Sequence, residues 1–211
     1  MATIQIDELN TGKFDYESYI KSYFAPMQIT DEQKEKREKA SYDFRNFLLF
    51  LFALLSVQKQ YESVNWEYFE EQFIIEFRRS ASQYARNTYL LEEFIVEKAE
   101  EFTRITREHF GTDDYWVSDE RATYEAVNEA NAVLGYEELE EAKENGFKYK
   151  VWKTERDNRV RKDHIPMDGK KVKIDDYFVL PDCMMLMPHD DVNGTPRQVE
   201  NCRCVCQYTR E

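Results

Sequence analysis

Apolar residues recur at spacings of three and four along most of the first 145 positions, and beyond them the spacing shortens. Phe69, Phe73, Phe77, Ala81, Tyr84 and Ala85 follow one another at helical intervals, as do Leu91, Phe94, Ile95, Phe102 and Ile105. Such stripes belong to helices that bury one face. They predict a helical stretch from about Trp66 to Phe110, broken near Arg86–Thr88 and stopped by Gly111. Upstream, Thr30 with Gln33 three residues later forms a capping-box pair. The helix it opens begins with the all-polar DEQKEKREKA and turns almost wholly apolar from Phe44. Ser118 offers the N-cap of a third helix, expected to run to Leu134 and end at Gly135. A fourth, short helix is expected from Glu137 to Asn145, closed by Gly146. Tyr16, Tyr19 and Tyr23 share helical spacing in an N-terminal arm, residues 1–28, suited to docking on a neighbour.

After Gly146, Phe147, Tyr149, Val151 and Trp152 read as a strand, and Val172 with Ile174 as a second. Cys202, Cys204 and Cys206 alternate with Arg203 and Val205, which suggests a third. The expected fold class is α+β, a mainly helical N-terminal body with a small, loop-rich C-terminal α+β cap. The body spans 29–117, and a unit over 118–211 holds further helices and then the cap from about 147. With 6 Gly and 5 Pro in 211 residues, a turn-rich all-β fold is excluded.

Charge sharpens the division. Residues 1–150 carry 18 Lys+Arg against 31 Asp+Glu, whereas 151–211 carry 11 of each. A net charge of −13 argues against strong nucleic-acid binding, which needs basic residues in excess, and favours basic protein partners. The most apolar run, FLLFLFALL at Phe47–Leu55, is nine residues long, against the roughly 20 that a bilayer-spanning helix needs. It therefore predicts a buried core helix and no membrane partner. The N-terminus lacks the basic and apolar regions of a secretory leader, so the cysteines are expected to meet a reducing cytoplasm.

The candidate chemistry is concentrated in the cap. Arg156, Arg159 and Arg161 lie among Asp157, Asp163 and Asp168, with His164 three residues after Arg161. Guanidinium and carboxylate groups so interleaved lock irregular backbone through paired hydrogen bonds. The competing reading is a recognition or acid–base site in which His164 titrates. No defensible catalytic triad, Walker loop or GxGxxG is present. Asp168-Gly169 reads as a turn, and the MMLM run at Met184–Met187 as either core or plastic contact surface.

On an extended strand Cys202, Cys204 and Cys206 would share a face, neighbours roughly 6–7 Å apart at Cα and the outer pair about 13 Å. No more than two could then hold one ion. A four-coordinate zinc would draw its other ligands from Cys183, His164 or His189, the most economical set being His164, Cys183, Cys202 and Cys204. Buried free thiols and a disulfide are the other two readings of the cysteines.

The string WKTERDNRVRKDHIPMDGKKV, followed by DDYF, a proline-containing loop and NCRC, resembles the C-terminal domain of bacteriophage minor head proteins, the Mu F-like head morphogenesis family. Trp152, Thr154, Asp157, Arg159, Val160, Arg161, His164, Asp168, Gly169, Asn201, Cys202, Arg203 and Cys204 carry the likeness. The helix through Arg121, Asn128 and Asn131 is similar to the one that precedes the family's motif. The likeness covers about 118–206, with Cys183 and Cys206 additional to the pattern. It implies a low-copy virion protein near the portal vertex, made in the host cytoplasm and contacting portal or capsid proteins. It also implies a part in capsid assembly, DNA packaging or delivery, with no catalytic activity assured. The residues themselves leave open a phosphate- or nucleotide-directed enzyme built on His164 and the Arg/Asp groups, a zinc-stabilised interaction module, and oligomer formation.

Overall fold

The computed structural model describes residues 14–60 and 63–211; the first part of the predicted arm, 1–13, lies outside the described residues. Helix α1 (Tyr16–Phe24) is capped by Asp15, whose carboxylate accepts from the Ser18 N–H at 3.0 Å. Before α2 (Asp31–Gln60) the capping box is closed in both directions. The Thr30 N–H donates to Gln33 Oε1 at 3.0 Å and the Gln33 N–H to Thr30 Oγ1 at 3.2 Å. Helices α3 (Trp66–Ala81) and α4 (Tyr89–His109) are separated where the sequence predicts, because Thr88 caps α4 through the Leu91 N–H.

Helix α5 (Asp119–Glu144) corrects one expectation. It is continuous, and Gly135 neither ends it nor starts another. A Cβ at Gly135 would sit 3.2 Å from both Sδ and Cε of Met187, so the glycine makes room for that buried side chain. The neighbours Leu134, Tyr136 and Leu139 are all buried, which keeps the helix seated across a residue that costs about 1 kcal/mol relative to alanine.

Two buried polar ties hold α2 along α5. Arg45 pairs with Asp119 at 2.6 Å, and Arg37 grips Glu138 at 2.8 and 2.9 Å while donating to Asn131. By length and composition α2 passes for a membrane-crossing helix, its most apolar 18-residue window having a mean hydropathy of 1.3, yet 56% of that window is buried within the protein. Phe44 and Phe47 pack against Phe77 and Phe73 of α3, and Phe52 stacks on Phe102 of α4.

In the cap, β1 (Tyr149–Lys153) is the centre of an antiparallel sheet in the order β2-β1-β5, flanked by β2 (Lys171–Lys173) and β5 (Val205–Thr209). Between them β3 (Phe178–Val179) and β4 (Met184–Met185) form a two-stranded ladder, followed by the single-turn α6 (Pro196–Val199). The predicted third strand is thus shorter than expected. It starts at Val205, and Cys202 and Cys204 precede it, after Asn201 at φ 53°. Met185, Leu186 and Met187 are core, with only Met184 of that run exposed. Trp152, Met167, Phe178, Leu180, Met185, Val199, Cys202 and Cys204 form a small second core, separate from the phenylalanine-rich core of the helices.

The Met187 seat gives a direct test. Gly135→Leu forces bulk into a filled site and is expected to cost about 1–3 kcal/mol. Gly135→Ala, which meets only the flexible end of Met187, is expected to stay within about 1 kcal/mol of the parent. Urea unfolding midpoints measure both, and a Gly135→Leu chain as stable as the parent would refute the packing role.

Candidate metal centre

The turn that follows β1 carries the motif back beneath Trp152. Gly169, at φ 79°, donates its N–H to the Trp152 carbonyl at 2.8 Å, in the conformation the Asp168-Gly169 turn predicts. The His164 ring meets the Trp152 indole edge-on at 5.1 Å and is buried. Its Nδ1 lies 3.5 Å from Cys202 Sγ and 3.4 Å from Cys204 Sγ. These three ligand atoms all fall within 4.8 Å of one another.

The spacing suits a metal. A tetrahedral zinc with Zn–S about 2.3 Å and Zn–N about 2.0 Å sets its nitrogen and sulfur ligands about 3.5 Å apart. The two observed N–S separations match that edge without rearrangement.

The tautomer suits it too. Gln198 is buried, and its amide nitrogen donates to Asp163 Oδ2 at 3.2 Å and Asp182 Oδ1 at 2.7 Å. Its Oε1 therefore faces His164 Nε2, at 3.0 Å, and can only accept. The ring proton sits on Nε2, leaving the Nδ1 lone pair directed at the two sulfurs, the arrangement in which an outer partner orients a ligating histidine.

The thiols are electrostatically paired. Burial opposes ionisation of Cys202, but the Cys204 hydrogen bond, with His189 and His164 nearby, holds it well below the ordinary thiol value. The contact with Cys202, followed by burial, pushes Cys204 up.

Cys183 lies outside the three-residue group, half-buried against the second core beside Asp182 and Thr195. Cys206 faces Trp152 across the ladder, and burial pushes its thiol up to about 12. His189 is buried at φ 66°, and its Nε2 has no hydrogen-bond partner among the described residues.

The remaining motif residues join the walls of the centre. Asp168 accepts from the Thr154 N–H and pairs with Arg156 at 2.8 Å, contacts that hold its carboxyl below the usual range. Asp157 pairs with Arg203 at 2.8 Å and is lowered chiefly by that guanidinium. Arg161 donates to the Glu200 carbonyl, and Asp163 pairs with Arg197 at 2.6 Å. The carboxylates among the interleaved charges are thus used in holding the loops together.

The N-terminal arm docks on its own chain. Tyr23 donates its hydroxyl to the Cys202 carbonyl at 2.6 Å and accepts from Asn131 of α5. Gln28 donates its backbone N–H to Glu155 at 3.1 Å and its amide to the Thr154 carbonyl. Asn128 of α5 accepts from the Asn201 N–H at 2.7 Å. Tyr23, Gln28 and Gln198 carry no motif signal in the sequence. Asn128 and Asn131 stand out there only as part of the helix preceding the motif.

The strand–turn unit, its buried His/Cys/Cys cluster and the long helix beside it all fall within one family match. Residues 95–207 match the family described as Phage Mu protein F like protein. The match takes in most of α4, all of α5 and nearly all of the cap, so it begins earlier than the likeness seen from about residue 118. The chain belongs to this bacteriophage head-related family. No curated protein and no solved structure matches the chain.

Gln198 supplies the test of the site. Gln198→Ala frees the imidazole to rotate or change tautomer, and zinc affinity measured by chelator competition is expected to fall by about 10- to 100-fold. Unchanged affinity would refute its orienting role.

Proposed function

We propose that this protein is a minor head protein, joining the portal or capsid during phage assembly, DNA packaging or delivery, and that zinc on His164, Cys202 and Cys204 braces its cap. The family match across α4, α5 and the cap is the observation that carries the assignment to the head. The zinc reading is supported by the buried cluster and its spacing. The acidic helical body, with 31 carboxylate residues against 18 basic ones in residues 1–150, suits a basic face on a partner protein. Zinc would supply cross-linking of the loop after β1 to the segment before β5. The chain's own residues orient the ligands through Gln198 and close the rim with Asp157–Arg203 and Asp168–Arg156.

Quantitative mass spectrometry of particles from a phage encoding the chain, with the portal protein as reference, tests the assignment. A few copies per portal ring, in mature particles or in assembly intermediates, is the expected result. Absence from both kinds of particle would overturn it.

A further inference from the structure

His164, Cys202 and Cys204 are three ligands, and a tetrahedral ion has four positions. Neither of the other side chains suggested by the sequence belongs to the three-residue group. Cys183 is outside the cluster, and His189 lines a separate cavity with Lys98 and Glu129 on the α4–α5 side.

What does border the cluster is a small cavity of about 10 Å³, at the lower limit for admitting a single water, with His164, Cys202 and Cys204 in its lining. Arg159, Arg161, Arg203 and Glu155 line the rest of it together with Val160 and Asn201. In a protein of net charge −13, three guanidinium groups against one carboxylate at a single mouth is a local reversal of sign. Two of the three are partly satisfied, Arg203 by Asp157 and Arg161 by the Glu200 carbonyl. Arg159 is exposed and makes no ion pair among the described residues. The Glu155 carboxylate is engaged by the Gln28 N–H from the N-terminal arm.

We infer that the metal keeps an exchangeable fourth position facing this mouth, and that the arginines make the position selective for a small anion. The inference rests on the metal reading above and adds to it a ligand-binding site with a stated chemistry. A metal closed by four side chains serves only to brace the cap. A metal with three leaves a Lewis-acidic site open to water or an anion, and the guanidinium groups at its mouth favour negative charge.

Cobalt(II) bound to the full reduced chain, titrated with azide, tests this. One cobalt per chain should show thiolate charge-transfer and ligand-field bands, and azide should shift the ligand-field bands saturably. Arg159→Glu should weaken azide binding roughly three- to fivefold while leaving cobalt affinity unchanged. Bands that azide does not move would overturn the open position and leave the metal reading intact. Azide affinity untouched by Arg159→Glu would overturn the role of the arginines. A chain that binds neither cobalt nor zinc would overturn both the inference and the metal reading.

Discussion

The hydrogen bond from His164 Nε2 to Gln198 Oε1 settles the chemistry of the cap, because it determines which ring nitrogen faces the sulfurs. Gln198 cannot turn its amide around without pointing its oxygen at two carboxylates, Asp163 and Asp182. That constraint runs outward through the loops: Asp163 is tied to Arg197, and Thr195 to Asp182. Three separate stretches of chain are thereby brought to bear on one imidazole. A cap of about 65 residues has a small core, and domains of that size are marginal on apolar burial alone. Its eight-residue second core includes both clustered cysteines, so the candidate ligands are also part of the packing.

Helix α5 connects that cap to the rest of the molecule. Its buried face meets α2 through the Arg45–Asp119 and Arg37–Glu138 pairs, while Asn128 and Asn131 reach the Asn201 backbone and Tyr23. Tyr23 in turn holds the carbonyl of Cys202, so the N-terminal helix, which precedes the family-matched segment, touches the backbone of a ligand residue. Met187 seated over Gly135 makes a further join between cap and helix. The contacts that orient the cluster are therefore spread over residues from 23 to 204.

The helical body was legible because its phenylalanines fall at regular spacings and recognisable caps stand at Thr30 and Ser118. Gly135 misled because a glycine signals both helix termination and close packing, and only the position of Met187 distinguishes them. The Cys202/Cys204 pair and His164 were legible as metal-ligand types. Their convergence was legible too, as three of the four side chains the sequence offers to one ion, although the alternation also implied a strand through Cys202 that in fact starts at Val205. Cys183 shows the same limit: residue type made it an economical ligand, and its position depends on the β3–β4 ladder and the loop around it. Gln198 left no trace in the pattern, and Tyr23 showed only its helical spacing and not its partner, because a single hydrogen bond between residues 34 or 179 positions apart has no period.

The account stands on a metal held by one nitrogen and two sulfurs. X-ray absorption at the zinc edge, on the full chain purified under reducing conditions with its metal content measured in parallel, tests it most directly. The account predicts one zinc per chain, with two sulfur scatterers at about 2.3 Å and nitrogen or oxygen scatterers at about 2.0 Å completing the shell. A chain without stoichiometric zinc, or a shell of nitrogen and oxygen alone, would contradict it.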